Sequence, residues 1–233
     1  MRSSSAPWQP LVAELAAFLL AGSCPGCGAA GELLCPGCEA LLAPTPRELV
    51  TPGGLVVRAA LSFEGVAARC IRRLKENGHT YLAGPLGAAL APELGEGLAL
   101  HDARPTPIPT GRAAYRRRGY RVPDLLIRRA GFRPFRLLAP ARSVSDQRGL
   151  GRQERATNVQ GSMRARATGT GQSIVLVDDV VTTGATFDEA ARVLSESGFR
   201  VAAAMALAFT PRRGRTGPTS VTGGDNAGWA DYG

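Results

Sequence analysis

The 233 residues of the chain are enough for one medium α/β domain with a small appendage, and 44% hydrophobic content is enough to build a core. These values exclude a chain too polar to fold and indicate a soluble globular protein. Basic residues number 28 against 19 acidic ones, for a net charge of +9, and Lys75 is the only lysine. Because 16 arginines lie between Arg104 and Arg166 against three acids, that region is expected to face a polyphosphate substrate, a nucleic acid or an acidic partner. A solvated basic face is the plainer alternative.

Proline, glycine and composition divide the chain into three predicted parts. They are a cysteine-bearing head at residues 1–45, a body at residues 54–211 and a tail at residues 212–233. Pro44 and the run Pro52-Gly53-Gly54 mark the first boundary, because such residues interrupt both helix and sheet. The tail is rich in Gly, Thr and Asp with few aliphatic side chains, so it is predicted to be disordered.

An apolar segment at residues 11–21 raises the question of export or membrane insertion. Glu14 interrupts the segment, which is also too short to cross a bilayer as a helix. The residue three before Cys24 is Ala21 rather than a larger aliphatic, which disfavours a lipoprotein signal. The segment is therefore predicted to be a short docking helix of a cytoplasmic protein without a membrane span.

Two Cys-x-x-Cys pairs, separated by seven residues, come next. They consist of Cys24, Cys27, Cys35 and Cys38. The Pro-Gly turn inside each pair lets both thiolates point at one ion, so the sequence predicts a structural zinc site with four cysteine ligands. A redox dithiol is disfavoured by the second matched pair, and disulfides would suit a secreted chain, for which there is no good sign. Cys70 is expected to be an unliganded core residue.

The body alternates between strand and helix patterns. Alternating or β-branched runs indicate strands, and apolar residues at helical spacing indicate helices. The predicted strands are residues 55–63, 105–109, 135–138, 173–177 and 200–209. The predicted helices are residues 66–77, 81–94, 121–129 and 187–197, with an arginine-rich loop at 143–158. This alternation predicts a doubly wound, mostly parallel α/β sheet.

The strongest candidate site begins where the buried strand at 174–177 ends. Its residues, called the 178–186 segment below, are Asp178, Asp179, Val180, Val181, Thr182, Thr183, Gly184, Ala185 and Thr186. A helix N-terminus at the carboxyl end of a parallel strand suits a phosphate, the threonines add donors, and Gly184 permits close backbone approach. Two adjacent carboxylates can accept hydrogen bonds from ribose hydroxyls. One alternative is that the two acids are simply favoured at a helix N-terminus and bind no ligand. Another is a receiver domain, which also has an acidic pair after a strand; it is excluded because it needs a lysine further along the chain, and none follows Asp179.

The 178–186 segment resembles the phosphoribosyl pyrophosphate signature of type I phosphoribosyltransferases. The resemblance implies that Asp178 and Asp179 are catalytic and hold the ribose 2- and 3-hydroxyls, while the threonine-rich loop wraps the 5-phosphate. It also implies displacement of pyrophosphate through an oxocarbenium-like state, with magnesium bridging diphosphate and ribose oxygens. The candidate pyrophosphate loop is formed by Thr110, Gly111 and Arg112; an ordinary turn is the alternative.

A double Cys-x-x-Cys head before such a body resembles the ComF/GntX family over roughly residues 20–211. Further matching elements are Phe63-Glu64-Gly65, the run from Ile71 to Lys75, Arg118-Gly119-Tyr120 and the stretch from Gln147 to Val159. Many members carry Asn-Gln after the Arg-Gly-Tyr element, where this chain has Arg121-Val122. In phosphoribosyltransferases a mobile loop closes over the diphosphate, and residues 143–158 are predicted to do so with Arg148, Arg152 and Arg155. A basic surface loop is the alternative.

Two classes of function remain open from the sequence. The first is a transferase that acts on a base or amine acceptor. The hood segment that usually marks the acceptor pocket in enzymes acting on nucleobases is not identifiable in this sequence. The second is a binding module that senses phosphoribosyl pyrophosphate or a nucleotide, or serves DNA processing through the head and the basic face. Members of the resembling family are associated with competence and, in another branch, with gluconate use. Single-stranded DNA and DNA-uptake proteins are therefore candidate partners.

Overall fold

Seven strands and six helices form the described part of the chain, which covers residues 22–141 and 159–211 of a computed structural model. The strands are β1 (Arg47–Val50), β2 (Val56–Ser62), β3 (Arg104–Pro107), β4 (Leu138–Pro140), β5 (Met163–Ala165), β6 (Ser173–Val181) and β7 (Arg200–Phe209). The helices are α1 (Pro36–Ala40), α2 (Gly65–Glu76), α3 (Ala83–Leu100), α4 (Arg112–Arg118), α5 (Val122–Arg129) and α6 (Ala185–Glu196), with a 3-10 turn at Thr80–Leu82.

Five strands form the main sheet, in the order β1-β2-β7-β6-β3. Strands β2, β7, β6 and β3 are parallel, and β1 pairs antiparallel with β2 at one edge. Parallel neighbours need a crossover, and helices supply these connections. Strands β4 and β5 form a separate antiparallel pair. The predicted doubly wound, mostly parallel α/β sheet is confirmed.

Helices cover both faces of the main sheet. On one face, α2, α3 and α5 bury Ile71, Leu90 and Leu126 in a cluster with residues of β6 and β7. On the other face, α6 buries Phe187 and Leu194 in a second cluster that also includes residues of β4. Successive residues of β6 contribute alternately to the two clusters, because side chains of a strand point alternately to its two faces. The central strands are therefore apolar on both sides.

The described part of the cysteine head packs directly on the body. Cys24, Cys38 and Leu42 belong to the same buried cluster as the apolar face of α2. The Arg69 guanidinium of α2 donates to the Gly26 carbonyl at 2.5 Å. Strand β1, which lies between the predicted head and the predicted body, extends the main sheet at its edge. Head and body therefore share one core on the α2 side of the sheet.

Strand β6 is longer than the sequence pattern indicates. The apolar run predicts an end at residue 177, whereas β6 continues to Val181. The extension exists because β7 supplies pairing partners for Asp178, Val180 and Val181. The acidic pair therefore lies inside the strand, and only residues 182–184 separate β6 from α6.

The predicted strand at residues 135–138 is misplaced. Phe135 donates its backbone N–H to the Pro105 carbonyl at 2.7 Å, beside the edge strand β3. Pro105 and Pro107 have no N–H groups with which to extend a ladder along that edge. The chain instead forms β4, which pairs with β5 from Leu138 onwards.

The other predicted elements of the body lie near their observed positions. Helix α2 begins one residue earlier than expected, and α3 runs on to Leu100, beyond the predicted end at residue 94. Helix α6 begins at Ala185, two residues before the predicted start. The sequence pattern did not indicate β1, α4 or β5, which are all short elements.

Three predicted features lie outside the described residues. They are the helix at 11–21, the arginine-rich loop at 143–158 and the tail at 212–233. Arg148, Arg152 and Arg155 belong to the second of these. Among the residues that the structure describes, no helix combines the length and the apolar character needed to cross a membrane.

Candidate functional site

The acidic pair lies near the carboxyl end of β6. Asp178 and Asp179 are consecutive residues of the strand, the first half-buried and the second buried. Asp179 is only 7% exposed, and its Oδ1 accepts a hydrogen bond from the Lys75 ammonium at 3.0 Å. Lys75 lies in the last turn of α2, so this ion pair joins a helix to the strand. Sequence analysis did not predict this contact. The only signal in the sequence was that Lys75 is the single lysine of the chain.

The surroundings of Asp178 change its affinity for a proton. Burial, followed by the neighbouring negative charge of Asp179, raises the pKa of Asp178 to about 8. The Asp179 N–H, which donates to Asp178 Oδ1 at 2.8 Å, and the positive charge of Lys75 act in the opposite direction. At neutral pH the Asp178 carboxyl is therefore largely protonated.

The remainder of the 178–186 segment connects β6 to α6. Thr182 and Thr183 are exposed, and the Thr183 hydroxyl accepts the Ala185 N–H at 3.4 Å. The first N–H groups of a helix have no intrahelical acceptor, and the helix dipole is positive at this end. Backbone donors, hydroxyl groups and the dipole thus meet beside the acidic pair. This combination suits a phosphate group.

Gly184 is required by the backbone of this connection. Its φ of +85° lies in the left-handed region, which is unfavourable for a residue with a Cβ. A Cβ at this position would also overlap the side chain of Thr51, in the β1–β2 connection. The close approach that the sequence assigned to a phosphate is therefore also an approach to Thr51.

Asp188 fastens the β1–β2 connection to α6. Its Oδ1 accepts the Thr51 hydroxyl at 2.5 Å, and its Oδ2 accepts the Gly53 N–H at 2.9 Å. Asp188 lies in the first turn of α6, where the dipole favours a negative charge. Because Thr51 and Asp188 are 137 positions apart, nothing in the local sequence indicates this contact.

A cavity of about 180 Å³ lies beside the carboxyl end of β3. Its polar lining, which defines the arginine cavity, includes Thr110, Arg112, Arg121, Arg136, Arg164 and Arg166. Ile108 donates its N–H to the Val177 carbonyl at 2.8 Å, so the chain leaves β3 next to the acidic pair. Asp124 also lines the cavity and pairs with Arg136. Five guanidinium groups against one carboxylate make this cavity suited to an anion.

The three residues of the candidate pyrophosphate loop are divided by the structure. Thr110 and Arg112 line the arginine cavity, whereas Gly111 is the N-cap of α4. None of the residues of α4 is buried, and the Arg121 guanidinium lies 4.3 Å from the centre of the Tyr115 ring. Sequence analysis assigned the basic region from Arg104 to Arg166 to an anion only as a whole. It did not single out Arg121, Arg136, Arg164 and Arg166, because the segments that bring them together are distant in the chain.

The four cysteines of the head converge on one point. Their Sγ atoms all lie within 4.8 Å of one another, with Cys24–Cys35 at 3.8 Å and Cys27–Cys35 at 3.7 Å. In a tetrahedral site with Zn–S bonds of about 2.3 Å, two sulfurs are separated by about 3.8 Å. None of the cysteines forms a disulfide. Donor type and spacing therefore fit a single metal ion such as zinc.

Each Cys-x-x-Cys pair is shaped by a similar backbone bond. Gly28 donates its N–H to the Cys24 carbonyl at 2.8 Å, and Glu39 donates to the Cys35 carbonyl at 2.9 Å. Burial alone would raise the pKa of Cys24, but the N–H groups of Cys35 and its own turn lower it to about 6. Burial, followed by the neighbouring thiols, raises the pKa of Cys38.

Comparison with known proteins covers part of the chain. Residues 117–224 match the family model described as "Phosphoribosyl transferase domain". The matched span includes the 178–186 segment and α6, and it leaves out the cysteine head and α2. A search of curated proteins found no match.

Two solved structures resemble the chain weakly. Phosphoribosylpyrophosphate synthetase from Mycobacterium smegmatis is 21% identical with a TM-score of 0.29, and the alignment covers 52% of this chain and 33% of that chain. The chain thus spans about a third of the length of the synthetase. Adenine phosphoribosyltransferase from Thermoanaerobacter pseudethanolicus is 18% identical with a TM-score of 0.33, over 70% of this chain and 83% of that one. The family match, rather than these similarities, indicates a phosphoribosyltransferase-type domain over residues 117–224.

Proposed function

We propose that the chain binds phosphoribosyl pyrophosphate and transfers its phosphoribosyl group to an acceptor. The observation that carries the proposal is the 178–186 segment, which lies within the matched domain and joins the carboxyl end of β6 to the start of α6. An acidic pair and a helix N-terminus meet there across a three-residue connection. The two features suit the two ends of a ribose 5-phosphate.

Each part of the segment has a distinct role in this proposal. The hydroxyl groups of Thr182, Thr183 and Thr186 and the first N–H groups of α6 hold the 5-phosphate. Asp179, which is paired with Lys75, accepts a hydrogen bond from one ribose hydroxyl. Asp178, which is neutral at pH 7, can both accept from and donate to the neighbouring hydroxyl. The ribose is thereby fixed while the bond from its anomeric carbon to the diphosphate breaks.

The arginine cavity is proposed to receive the diphosphate. Thr110 and Arg112 line it together with four further arginines, at the carboxyl end of β3, the strand that pairs with β6. Negative charge grows on the diphosphate as it leaves, so guanidinium groups there stabilise the transition state. Magnesium bound through the diphosphate and ribose oxygens would offset further charge. Arg148, Arg152 and Arg155 are assigned to the same anion from the sequence alone.

The cysteine head supports a finer proposal. Four sulfurs at zinc-like spacing before a phosphoribosyltransferase-type domain suit a ComF-like protein, with a structural zinc in the head and a role linked to DNA uptake in competence. Thiols kept free for a metal suit a cytoplasmic location. We retain the division into head, body and tail at residues 1–45, 54–211 and 212–233 as part of this proposal.

Mutation of the acidic pair tests binding of phosphoribosyl pyrophosphate, called the donor below because it donates the phosphoribosyl group. We expect Asp178→Asn combined with Asp179→Asn to abolish calorimetric binding of phosphoribosyl pyrophosphate with magnesium, because both ribose contacts are weakened at once. Asp102→Asn makes the same chemical change at the amino end of β3, away from the site, and should bind like the parent protein. Equal affinity in all three proteins would refute the proposed site.

A second candidate function is a binding module that does not catalyse transfer. The observation that favours it is α4, an arginine-rich helix without a buried residue beside the arginine cavity, which offers a surface for nucleotides or single-stranded DNA. A panel of nucleobases and amines, assayed for pyrophosphate release, separates the two functions. Release with any acceptor favours transfer, and salt-sensitive binding of single-stranded DNA without release favours the module.

A further inference from the structure

Lys75 occupies a position that the candidate site residues do not explain. It is the only lysine of the chain, and its Nζ lies 3.0 Å from Asp179 Oδ1. The side chain of Lys75 is 32% exposed, whereas that of Asp179 is 11% exposed. The ammonium group therefore stands at the solvent side of a buried carboxylate, where a bound sugar would also approach.

The helix that carries Lys75 is held in place on both sides. At its carboxyl end, the Tyr120 hydroxyl donates to the Leu74 carbonyl, one of the last carbonyls that a helix leaves without an internal partner. Towards its amino end, Arg69 donates to Gly26 O in the cysteine head. These contacts fix α2 against the body and the head, so the position of Lys75 relative to β6 is set by the fold.

The charge of Lys75 matters because the two aspartates are adjacent. Two neighbouring carboxylates repel each other, and one of them tends to keep a proton. The ammonium on Asp179 offsets this repulsion. Without it, the pKa of Asp178 would rise further, because the positive charge of Lys75 lowers that pKa.

We infer that Lys75 is a positioning residue of the phosphoribosyl site, which holds the Asp179 carboxylate in one orientation for a ribose hydroxyl. Tyr120 supports this role, because its hydrogen bond to the Leu74 carbonyl fixes the last turn of α2. The inference rests on the proposed function, since it assigns Lys75 to the donor site proposed there. A salt bridge that only stabilises the fold would leave donor affinity and its pH dependence unchanged.

The first experiment compares donor affinity among variants of α2. We expect Lys75→Met to weaken binding of phosphoribosyl pyrophosphate with magnesium by about tenfold or more, and Lys75→Arg to weaken it less. Arg73→Met removes an equal charge from an exposed position of the same helix and should stay within about twofold of the parent. Lys75→Met should also change the pH dependence of binding, because the positive charge of Lys75 lowers the pKa of Asp178.

The second experiment uses the uniqueness of Lys75. Reductive methylation with ¹³C-formaldehyde keeps the positive charge and labels one side chain besides the chain's own amino terminus. We expect the Lys75 methyl resonance to shift in Asp179→Asn and again when phosphoribosyl pyrophosphate is added to the parent protein. The Asp102→Asn control should leave it in place.

The outcomes separate this inference from the function on which it rests. Absence of donor binding by the parent protein would refute both. Donor binding by the parent with equal affinity and pH dependence in Lys75→Met would overturn the role of Lys75 alone. A Lys75 resonance that is indifferent to Asp179→Asn would also overturn it, because the ion pair would then be absent in solution.

Discussion

The cysteine head and the 178–186 segment both gather polar ligand groups, but they do so in opposite ways. In the head, two short pieces of chain bring four sulfurs within 4.8 Å of one another, and a metal would complete a closed site. In the 178–186 segment, called the open site below, the hydroxyl groups of Thr182 and Thr183 are exposed. The position of the segment depends on contacts with α2 and with the β1–β2 connection. The arrangement of the head is therefore encoded locally, whereas that of the 178–186 segment depends on distant contacts.

Removal of the metal should have the largest effect, because it tests whether the head is a closed structural site. We expect purified protein to contain about one zinc per chain, and Cys38→Ser to lose it together with on the order of 5 kcal/mol of stability. Metal analysis and denaturant unfolding measure the two effects. Cys70→Ala removes a buried thiol that is not one of the four grouped cysteines, so this variant should keep the zinc. A metal-free protein with unchanged stability would contradict the assignment.

Substitution of Gly184 tests how strongly the open site depends on Thr51. Gly184→Ala should lower the free energy of unfolding by about 2–4 kcal/mol, because it combines a left-handed φ with overlap on Thr51. Thr51→Ser removes the nearest methyl group while keeping the hydroxyl. In that background Gly184→Ala should cost less, since only part of the overlap remains. Equal costs in both backgrounds would show that Thr51 does not restrict the loop.

The pH dependence of stability tests the protonation of the acidic pair. An acid whose pKa is about 8 in the folded state and about 3.9 in the unfolded state binds more protons when folded over that interval. Its contribution to the free energy of unfolding therefore decreases as pH rises from about 4 to about 8. Asp178→Asn should remove this decrease, measured by denaturant unfolding at several pH values. Parallel profiles for the two proteins would mean that Asp178 titrates normally.

The sequence predicts those parts of the molecule whose determinants are close together in the chain. The β-branched run before Asp178 and the Cys-x-x-Cys spacing are local patterns, and both lead to the observed element or cluster. Lys75 and Asp179 are 104 positions apart, and Tyr120 and Leu74 are 46 apart, so their contacts depend on how the strands are ordered in the sheet. The wrong prediction of a strand at residues 135–138 has a similar cause. Prolines in β3, which is distant in the chain, prevent residues 135–138 from pairing along that edge of the sheet.

The contact between Asp188 and the β1–β2 connection should have a smaller effect that still reaches the open site. Asp188→Ala removes the acceptor of the Thr51 hydroxyl and of the Gly53 N–H, and should cost about 1–2 kcal/mol of stability. Asp188→Asn keeps one acceptor oxygen and should cost less. Because Thr51 lies against Gly184, the loosened connection should also weaken donor binding several-fold in Asp188→Ala, which calorimetry measures. Weaker binding without loss of stability would instead assign Asp188 to the ligand itself. Unchanged binding would separate the β1–β2 connection from the open site and leave α2 as its distant support.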